Sequence, residues 1–291
     1  MIRIFRYRIT TQNLPASLGS FLTAQGYSRS MILGFKHHGG VTVNGKLRRI
    51  IDPLQSGDLV EIHAQDTTGS LQPNPDLDLP ILYEDQDLLL LNKPDNMLIH
   101  PAGLGFDDAV GNFFAARYPN TTFRPIGRLD RHTSGISLIA KNRLTAAQLT
   151  AMPPHKCYYA IAEGQIQTQT GRIEAPLLRL PGSQISHTVD SAGKPSITNF
   201  RVLAQNETHT WLKLELETGR THQIRVHLQY IGHPLAGDTL YGGSSDLIQR
   251  QALHCGEISF CHPQSGHIIH VTAPLPEDMA RLLAIIKPEL D

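Results

Sequence analysis

The chain has 291 residues, 40% of them apolar and 18% charged, with 26 Lys+Arg set against 26 Asp+Glu. That composition excludes a disordered or fibrous protein, and the length allows one large domain or two unequal ones with a substantial core. No apolar run approaches the roughly 18 residues of a membrane span. The start, MIRIFRYRIT, has no signal-like apolar block, and three cysteines suit a reducing cytoplasm better than a disulfide framework.

The zero net charge hides an uneven distribution. Residues 1–63 carry a net +5, residues 64–100 a net −6 and residues 101–291 a net +1. A basic end on a neutral body is the pattern of a small polyanion-binding module attached to something larger.

In chain order, Leu14, Leu18, Phe21 and Leu22 fall on one helical face, which Gly26 ends. Ser28 is placed to cap a second helix carrying Arg29, Met31, Ile32, Leu33 and Lys36, stopped by Gly39-Gly40. Val41–Val43 reads as a strand, Asn44-Gly45 as a tight turn and Leu59–Ile62 as a closing strand. Ala64–Pro80 has three prolines and no apolar period, so it reads as a linker. The expected division is therefore a basic module at 1–63, a linker at 64–80 and a larger domain at 81–291. In the larger part Asp87–Leu91 and Ile136–Ala140 read as buried strands. Asn142 caps a helix over Arg143–Met152 that Pro153-Pro154 terminates, and Trp211–Glu217 alternates as a half-buried strand. No glycine-rich phosphate loop follows a strand, so there is no nucleotide-cofactor signal.

Three clusters carry chemistry. In the first, RPIGRLDRHTSG, Asp130 sits among Arg128, Arg131 and His132, and Thr133-Ser134-Gly135 reads as a turn fixing the loop. An ionised aspartate there can act as nucleophile or base. No second carboxylate is near in sequence, which weakens a glycosidase reading. In the second, LETGRTHQIRVHL, Thr221 is the expected helix cap. Ile224, Leu228 and Ile231 form a buried stripe, and His222, Arg225 and Gln229 share another face. The third, KCYYA, sets aromatics beside Lys156, as a stacking platform or as core. His254-Cys255 and Cys261-His262 lack the short spacing of a zinc site and fit the two ends of one strand, so no metal is expected. His100, His233 and His262 each precede Pro and read as loop-packing residues.

With GRLDRHTSGISLIAKN, KCYYAIAEG, LETGRTHQIRVHLQYIGHPLAGDTLYG and RQALHC…FCHP in this order, the chain resembles the RluA-type pseudouridine synthases over roughly Ile81 to Pro276. The preceding segment, with SRSMI, GGVTVNGK and SGDLVEI, resembles the small RNA-binding module first named from a ribosomal small-subunit protein. The resemblance implies an α+β fold, a mixed and mainly antiparallel sheet with flanking helices, behind a helix–helix–strand module. It implies an isomerase that detaches uracil, rotates it and rejoins it through ring carbon 5, without a cofactor.

By motif, Asp130 is the essential carboxylate, Tyr158 the active-site tyrosine and Arg225 the partner of Asp130. Arg128 is the candidate for filling the space of an extruded nucleotide. Arg220 and His222 are further RNA contacts in the catalytic part, and Arg29, Lys36 and Lys46 are those of the module. The implied partner is structured RNA, ribosomal ahead of transfer RNA, with no membrane and no obligate protein partner. One departure stands out: where the family has His before the RLD element, this chain has Gly127. That makes an RNA-binding protein without catalysis the competing expectation, with a carboxylate-dependent nucleoside hydrolase behind it. The reactive uridine must be flipped into a closed pocket, expected to be a cleft lined by Leu and Ile with few polar groups.

Overall fold

The computed structural model describes residues 2–38, 40–65, 69–103, 106–183 and 185–287. The N-terminal unit opens with β1 (Ile2–Arg8), a strand that the sequence reading missed. Three arginines in seven residues mask its period, and Phe5 is its buried anchor. Helices α1 (Leu18–Ala24) and α2 (Arg29–His38) follow, then β2 (Val41–Val43), β3 (Lys46–Leu47) and β4 (Leu59–Gln65). The strand order is β1-β4-β2-β3, all antiparallel. Ser17 caps α1 by accepting from Ser20 N, so Leu14 lies ahead of the helix and is exposed instead of joining its apolar face. Asn44 and Gly45, both at positive φ, make the expected β2–β3 turn.

The larger unit is built on a nine-stranded sheet, supporting the α+β expectation. Its strands are β5 (Ile81–Glu84), β6 (Leu88–Lys93), β7 (Ser134–Ala140), β8 (His155–Glu163), β9 (Thr170–Glu174), β12 (Ile197–Gln205), β13 (His209–Leu216), β14 (Leu253–Cys261) and β15 (Ile268–Thr272). Strands β10 (Leu177–Arg179) and β11 (His187–Val189) form a separate hairpin. The order is β5-β6-β7-β14-β8-β13-β12-β9, with β15 paired to β14. All pairs are antiparallel except β7–β14.

That parallel contact explains one correction. Ser134 and Gly135, expected in a turn, begin β7 and pair with His254 and Cys255. Gly135 sits at φ +107, where a Cβ would come within 2.3 Å of the Cys255 carbonyl oxygen, so a side chain has neither the conformation nor the space. The turn lies one step earlier, closed by Thr133 N–H donating to Asp130 O at 3.1 Å.

One face of the sheet, with Leu90, Leu138, Ala160, Leu212 and Leu214, packs against Ile224 and Leu228 of α5 (Gln223–Tyr230). The other face is shared. Leu89, Leu91 and Ile139 meet α3 (Val110–Arg117), and Ile161 meets Met279 and Leu282 of α6 (Glu277–Ile286). The stretch read as a linker is partly a packed strap. Leu71, Leu77 and Leu79 join the α3 core, and the Asn112 amide donates to Gln72 O at 2.7 Å. Isolated leucines and backbone hydrogen bonds hold it, which leaves no period to read.

The two units are bolted together. Asp87, buried, accepts from Arg3 at 2.8 and 2.9 Å and from Asn142 at 2.7 Å. Asn142 in turn caps α4 (Arg143–Ala151) by accepting from Thr145 N. Leu144 of α4 is a member of the N-terminal unit's own core, and Gln148 donates to Gln25 O at 2.9 Å.

Candidate active site

Asp130 sits on the loop that leads into β7. Two buried basic side chains grip the backbone just after it. Lys93, at the end of β6, donates to Pro94 O at 2.8 Å, Met97 O at 2.9 Å and Arg131 O at 3.0 Å. Burial pushes the Lys93 amine down to about 7. Arg250 donates to His132 O at 3.1 Å and is itself held by Asp278 of α6 at 2.6 and 2.9 Å. Two successive carbonyls of the Asp130 loop are thus pinned from opposite ends of the chain. Sequence reading gave none of these three residues a role.

The neighbours of Asp130 in sequence are not its electrostatic partners. Arg128 and Arg131 are exposed, and His132 contacts Asp95 at 3.0 Å. The partners come from α5: Arg225 Nη1 lies 3.5 Å from Asp130 Oδ2, and His222 Nε2 lies 3.8 Å from it. Asp130 keeps 27% of its side chain accessible, so it is supported from below and open above.

Arg225 is held mainly by a residue that the sequence did not single out. Its Nε and Nη2 donate to Asp238 at 2.6 and 2.8 Å, and its guanidinium carbon lies 4.9 Å from the Tyr241 ring centre. Burial is the largest single effect on Arg225 and works against its charge, but the paired hydrogen bonds to Asp238 together with the charges of Asp238 and Asp130 hold the guanidinium above its ordinary value. Asp238 is the distant second carboxylate, and it serves the arginine. Its signal was the GDTLY run, whose carboxylate and aromatic are spaced to flank one cation.

The start of α5 differs from expectation. The cap position is His222, not Thr221, in left-handed backbone (φ 56, ψ 20). The side chain of Gln223 folds back to accept from Arg220 N and Thr218 Oγ1 at 3.0 and 2.9 Å, doing the work expected of the Thr221 hydroxyl. His222 and Arg225 point to Asp130, whereas Gln229, grouped with them by helical spacing, is exposed on another side.

Tyr158 lies on the α5 face of β8 between Leu214 and Cys255 and is 7% exposed. Desolvation pushes its hydroxyl well above the ordinary value, with the Asp130 charge adding to the effect. At neutral pH it is a protonated, apolar-packed ring. Tyr159 faces the other way, against Trp211, with its hydroxyl on Glu257. The surroundings of Asp130 are more polar than expected: Arg225 and His222 face it, Asp238 and Tyr241 hold those two, and Tyr158 is near enough to feel its charge.

Gly127 has φ +78, and a Cβ there would come within 3.2 Å of the Lys156 amine, which donates to Ile126 O. Lys156 occupies the direction that a side chain at 127 would take. Arg220 is exposed, with Nε 3.4 Å from Pro195 O. Arg29 and Lys46 are exposed on the N-terminal unit, and the side chain of Lys36 lies outside the described residues. His100 and His233 pack as expected, the former against the Phe123 ring and the latter on Glu163 O.

His254-Cys255 and Cys261-His262 lie at opposite ends of β14, about 20 Å apart at strand rise, too far to share one ion. On the sheet face away from Tyr158, His155, Cys157 and Glu215 bring possible ligand atoms within 4.8 Å of one another, but these groups take no part in the Asp130 site.

A profile of the RNA pseudouridylate synthase family matches residues 87–230. An uncharacterized RNA pseudouridine synthase of Bacillus subtilis, YjbO, is 38% identical over 89% of this chain and 95% of its own. A ribosomal large subunit pseudouridine synthase D of Haemophilus ducreyi is 37% identical over 90% of this chain and 88% of its own. Among solved structures, human RNA pseudouridylate synthase domain containing 1 aligns with a TM-score of 0.57 at 25% identity, over 76% of this chain and 99% of its own. With the sheet and similarity over about nine-tenths of the chain agreeing, the chain belongs to the RluA-type RNA pseudouridine synthases, isomerases that convert uridine to pseudouridine in RNA.

Proposed function

We propose that this enzyme isomerises uridines in large-subunit ribosomal RNA, with Asp130 as its essential carboxylate acting on a flipped-out nucleotide. The carrying observation is the placement of Asp130: open on one side, backed by Arg225 and His222, and beside the buried Tyr158 ring. The reaction breaks the N1–C1′ bond and forms C5–C1′, while N1 gains a proton and C5 loses one. Nothing is oxidised or lost, so side chains suffice. Asp130 either attacks C1′ or removes the C2′ proton, and a primary isotope effect from 2′-deuterated uridine identifies the second course.

Tyr158 supplies a flat wall for the base. Burial keeps its hydroxyl protonated before substrate arrives, and stacking on the base is the role that this apolar packing supports. Asp130 cannot reach a stacked uridine, and flipping costs a few kcal/mol that pocket contacts offset. In this reading Arg128 enters the vacated space and Arg220 holds the backbone, roles that their exposure allows. The N-terminal unit adds phosphate contacts through Arg29, Lys36 and Lys46. The ribosomal target is supported by the similarity to ribosomal large subunit pseudouridine synthases. Three free cysteines suit a cytoplasmic setting, and among the described residues no helix is long and apolar enough to cross a membrane.

The test is incubation with unmodified large-subunit RNA followed by pseudouridine mapping. New pseudouridine is expected with the wild-type protein and none with Asp130→Asn. Modification confined to transfer RNA would overturn the target, and an active Asp130→Asn would overturn the mechanism.

A further inference from the structure

His222 occupies backbone that a histidine seldom adopts. A non-glycine residue at φ 56 costs energy, and such strain persists where the surroundings over-determine it. The fixing contact is with Tyr241: His222 Nδ1 lies 2.8 Å from the Tyr241 hydroxyl. That hydroxyl also accepts from the backbone N–H of His187 at 3.0 Å.

The direction of the chain follows. Tyr241 oxygen is an acceptor toward His187 N, which has only a proton to offer. Among the described residues its only other hydrogen-bond partner is His222 Nδ1, so its own proton is directed there. A ring that accepts at Nδ1 carries its hydrogen at Nε2, and Nε2 is the atom facing Asp130 Oδ2 at 3.8 Å. Three elements, β11, the short 3-10 helix Thr239–Tyr241 and the start of α5, thus orient one N–H toward the carboxylate.

We infer that His222 is a positioning residue for Asp130, its Nε2–H tautomer fixed by Tyr241, rather than an RNA-contact residue. This rests on the reading of Asp130 as the essential carboxylate. His222 and Arg225 both face the same oxygen, Oδ2, and among the described residues no group bonds Oδ1, which is left for the sugar. At 3.8 and 3.5 Å both donors stand slightly back, and in the substrate complex such contacts shorten. The groups facing the His222 ring are Asp130, Arg225, Asp238, Tyr241 and His187, the last with its ring centre 5.7 Å away. Burial is the main effect lowering the affinity of His222 for a second proton, opposed by Asp130 and reinforced by Arg225 and His187. The neutral donor form is therefore the one present at pH 7. Protonating it in acid would place a second cation on Asp130 and weaken it as base or nucleophile.

The experiment is single-turnover kinetics on total RNA from cells lacking this gene, with three variants. His222→Gln keeps an N–H near the position of Nε2 and cannot titrate. His222→Asn is one methylene too short, although asparagine accepts left-handed backbone well. Tyr241→Phe keeps the ring and removes the hydroxyl that fixes the tautomer. The expected result is a turnover rate within threefold of wild type for Gln, at least tenfold lower for Asn and about fivefold lower for Phe, with half-saturating RNA concentration unchanged. The fall of the rate in acid is expected to weaken in the Gln variant.

Asn and Phe variants that turn over within twofold of wild type would overturn the inference. So would variants whose only change is weaker RNA binding, which would restore a role in RNA contact. Asp130→Asn, run alongside, separates the two ideas. If it is inactive while Asn and Phe at these positions behave as wild type, only the positioning role fails. If it is active, the reading of Asp130 fails first.

Discussion

Arg225 spends its two shortest contacts on Asp238, at 2.6 and 2.8 Å, and stands 3.5 Å from Asp130. One guanidinium thus serves two carboxylates unequally: a buried one fixes it, and a partly open one is steered by it. Asp238→Asn keeps the shape and removes the charge. Loosening this buried pair is expected to lower stability by about 3 kcal/mol and turnover at least tenfold, since the freed guanidinium can fold onto Asp130 and tie it up. Urea unfolding with single-turnover assays checks both, and a stable variant of full activity would show that Asp238 does not govern Arg225.

Lys93 titrates near 7 in the folded chain against 10.5 ordinarily, because it is buried. Above pH 7 the unfolded chain therefore holds a proton that the folded chain has released, and the contribution of this group to stability rises with pH until about 10.5. Lys93→Met has no such group and leaves three carbonyls short of a donor. It is expected to be less stable by about 1–3 kcal/mol, with a deficit larger at pH 9 than at pH 7. Urea midpoints of the two proteins at both pH values measure this, and a deficit that shrinks toward pH 9 would contradict it.

Asp87 is the bolt between the two units. Asp87→Ala strands Arg3 and frees the Asn142 amide. Breaking such a pair costs on the order of 3 kcal/mol, somewhat less here because Arg3 is partly exposed. The loss is expected to appear locally, as faster amide exchange in Ile2–Arg8 and at the start of Arg143–Ala151, while β7 and β8 stay protected. Exchange rising equally across the main sheet would show that the contact stabilises the whole fold and not the junction.

Arg29 and Lys46 are exposed on the N-terminal unit. If each neutralises an RNA phosphate, Arg29→Ala and Lys46→Ala weaken binding to all RNA sequences alike. Each also lowers the slope of log affinity against log salt by about one. Filter binding across a salt series reads the slope, and an unchanged slope would remove the residue from the interface.

Much of this was legible beforehand. The alternation in Trp211–Glu217, the buried run at Leu88–Leu91 and the Asn142 cap rest on local rules, which hold wherever a segment is placed. Strand β1 escaped because Arg3 and Tyr7 share a face with Phe5: its period is set by an ion pair to Asp87 across the domain junction, a contact that sequence does not display. The Leu71–Leu79 strap escaped for a similar reason, since single leucines reach a core that forms only when α3 arrives.

The order of residues alone points to the type of fold, the basic N-terminal segment and the three clusters containing Asp130, Tyr158 and Arg225. Apolar periodicity, capping and motif spacing are written in neighbouring residues. Which charges face one another is settled by folding. Asp130 takes its partners from a helix more than ninety residues away, Arg225 is anchored by Asp238, and Lys93 and Arg250 clamp the loop from distant strands and turns. Electrostatic energy depends on distance in space and on burial, and neither is a property of the order of residues along the chain.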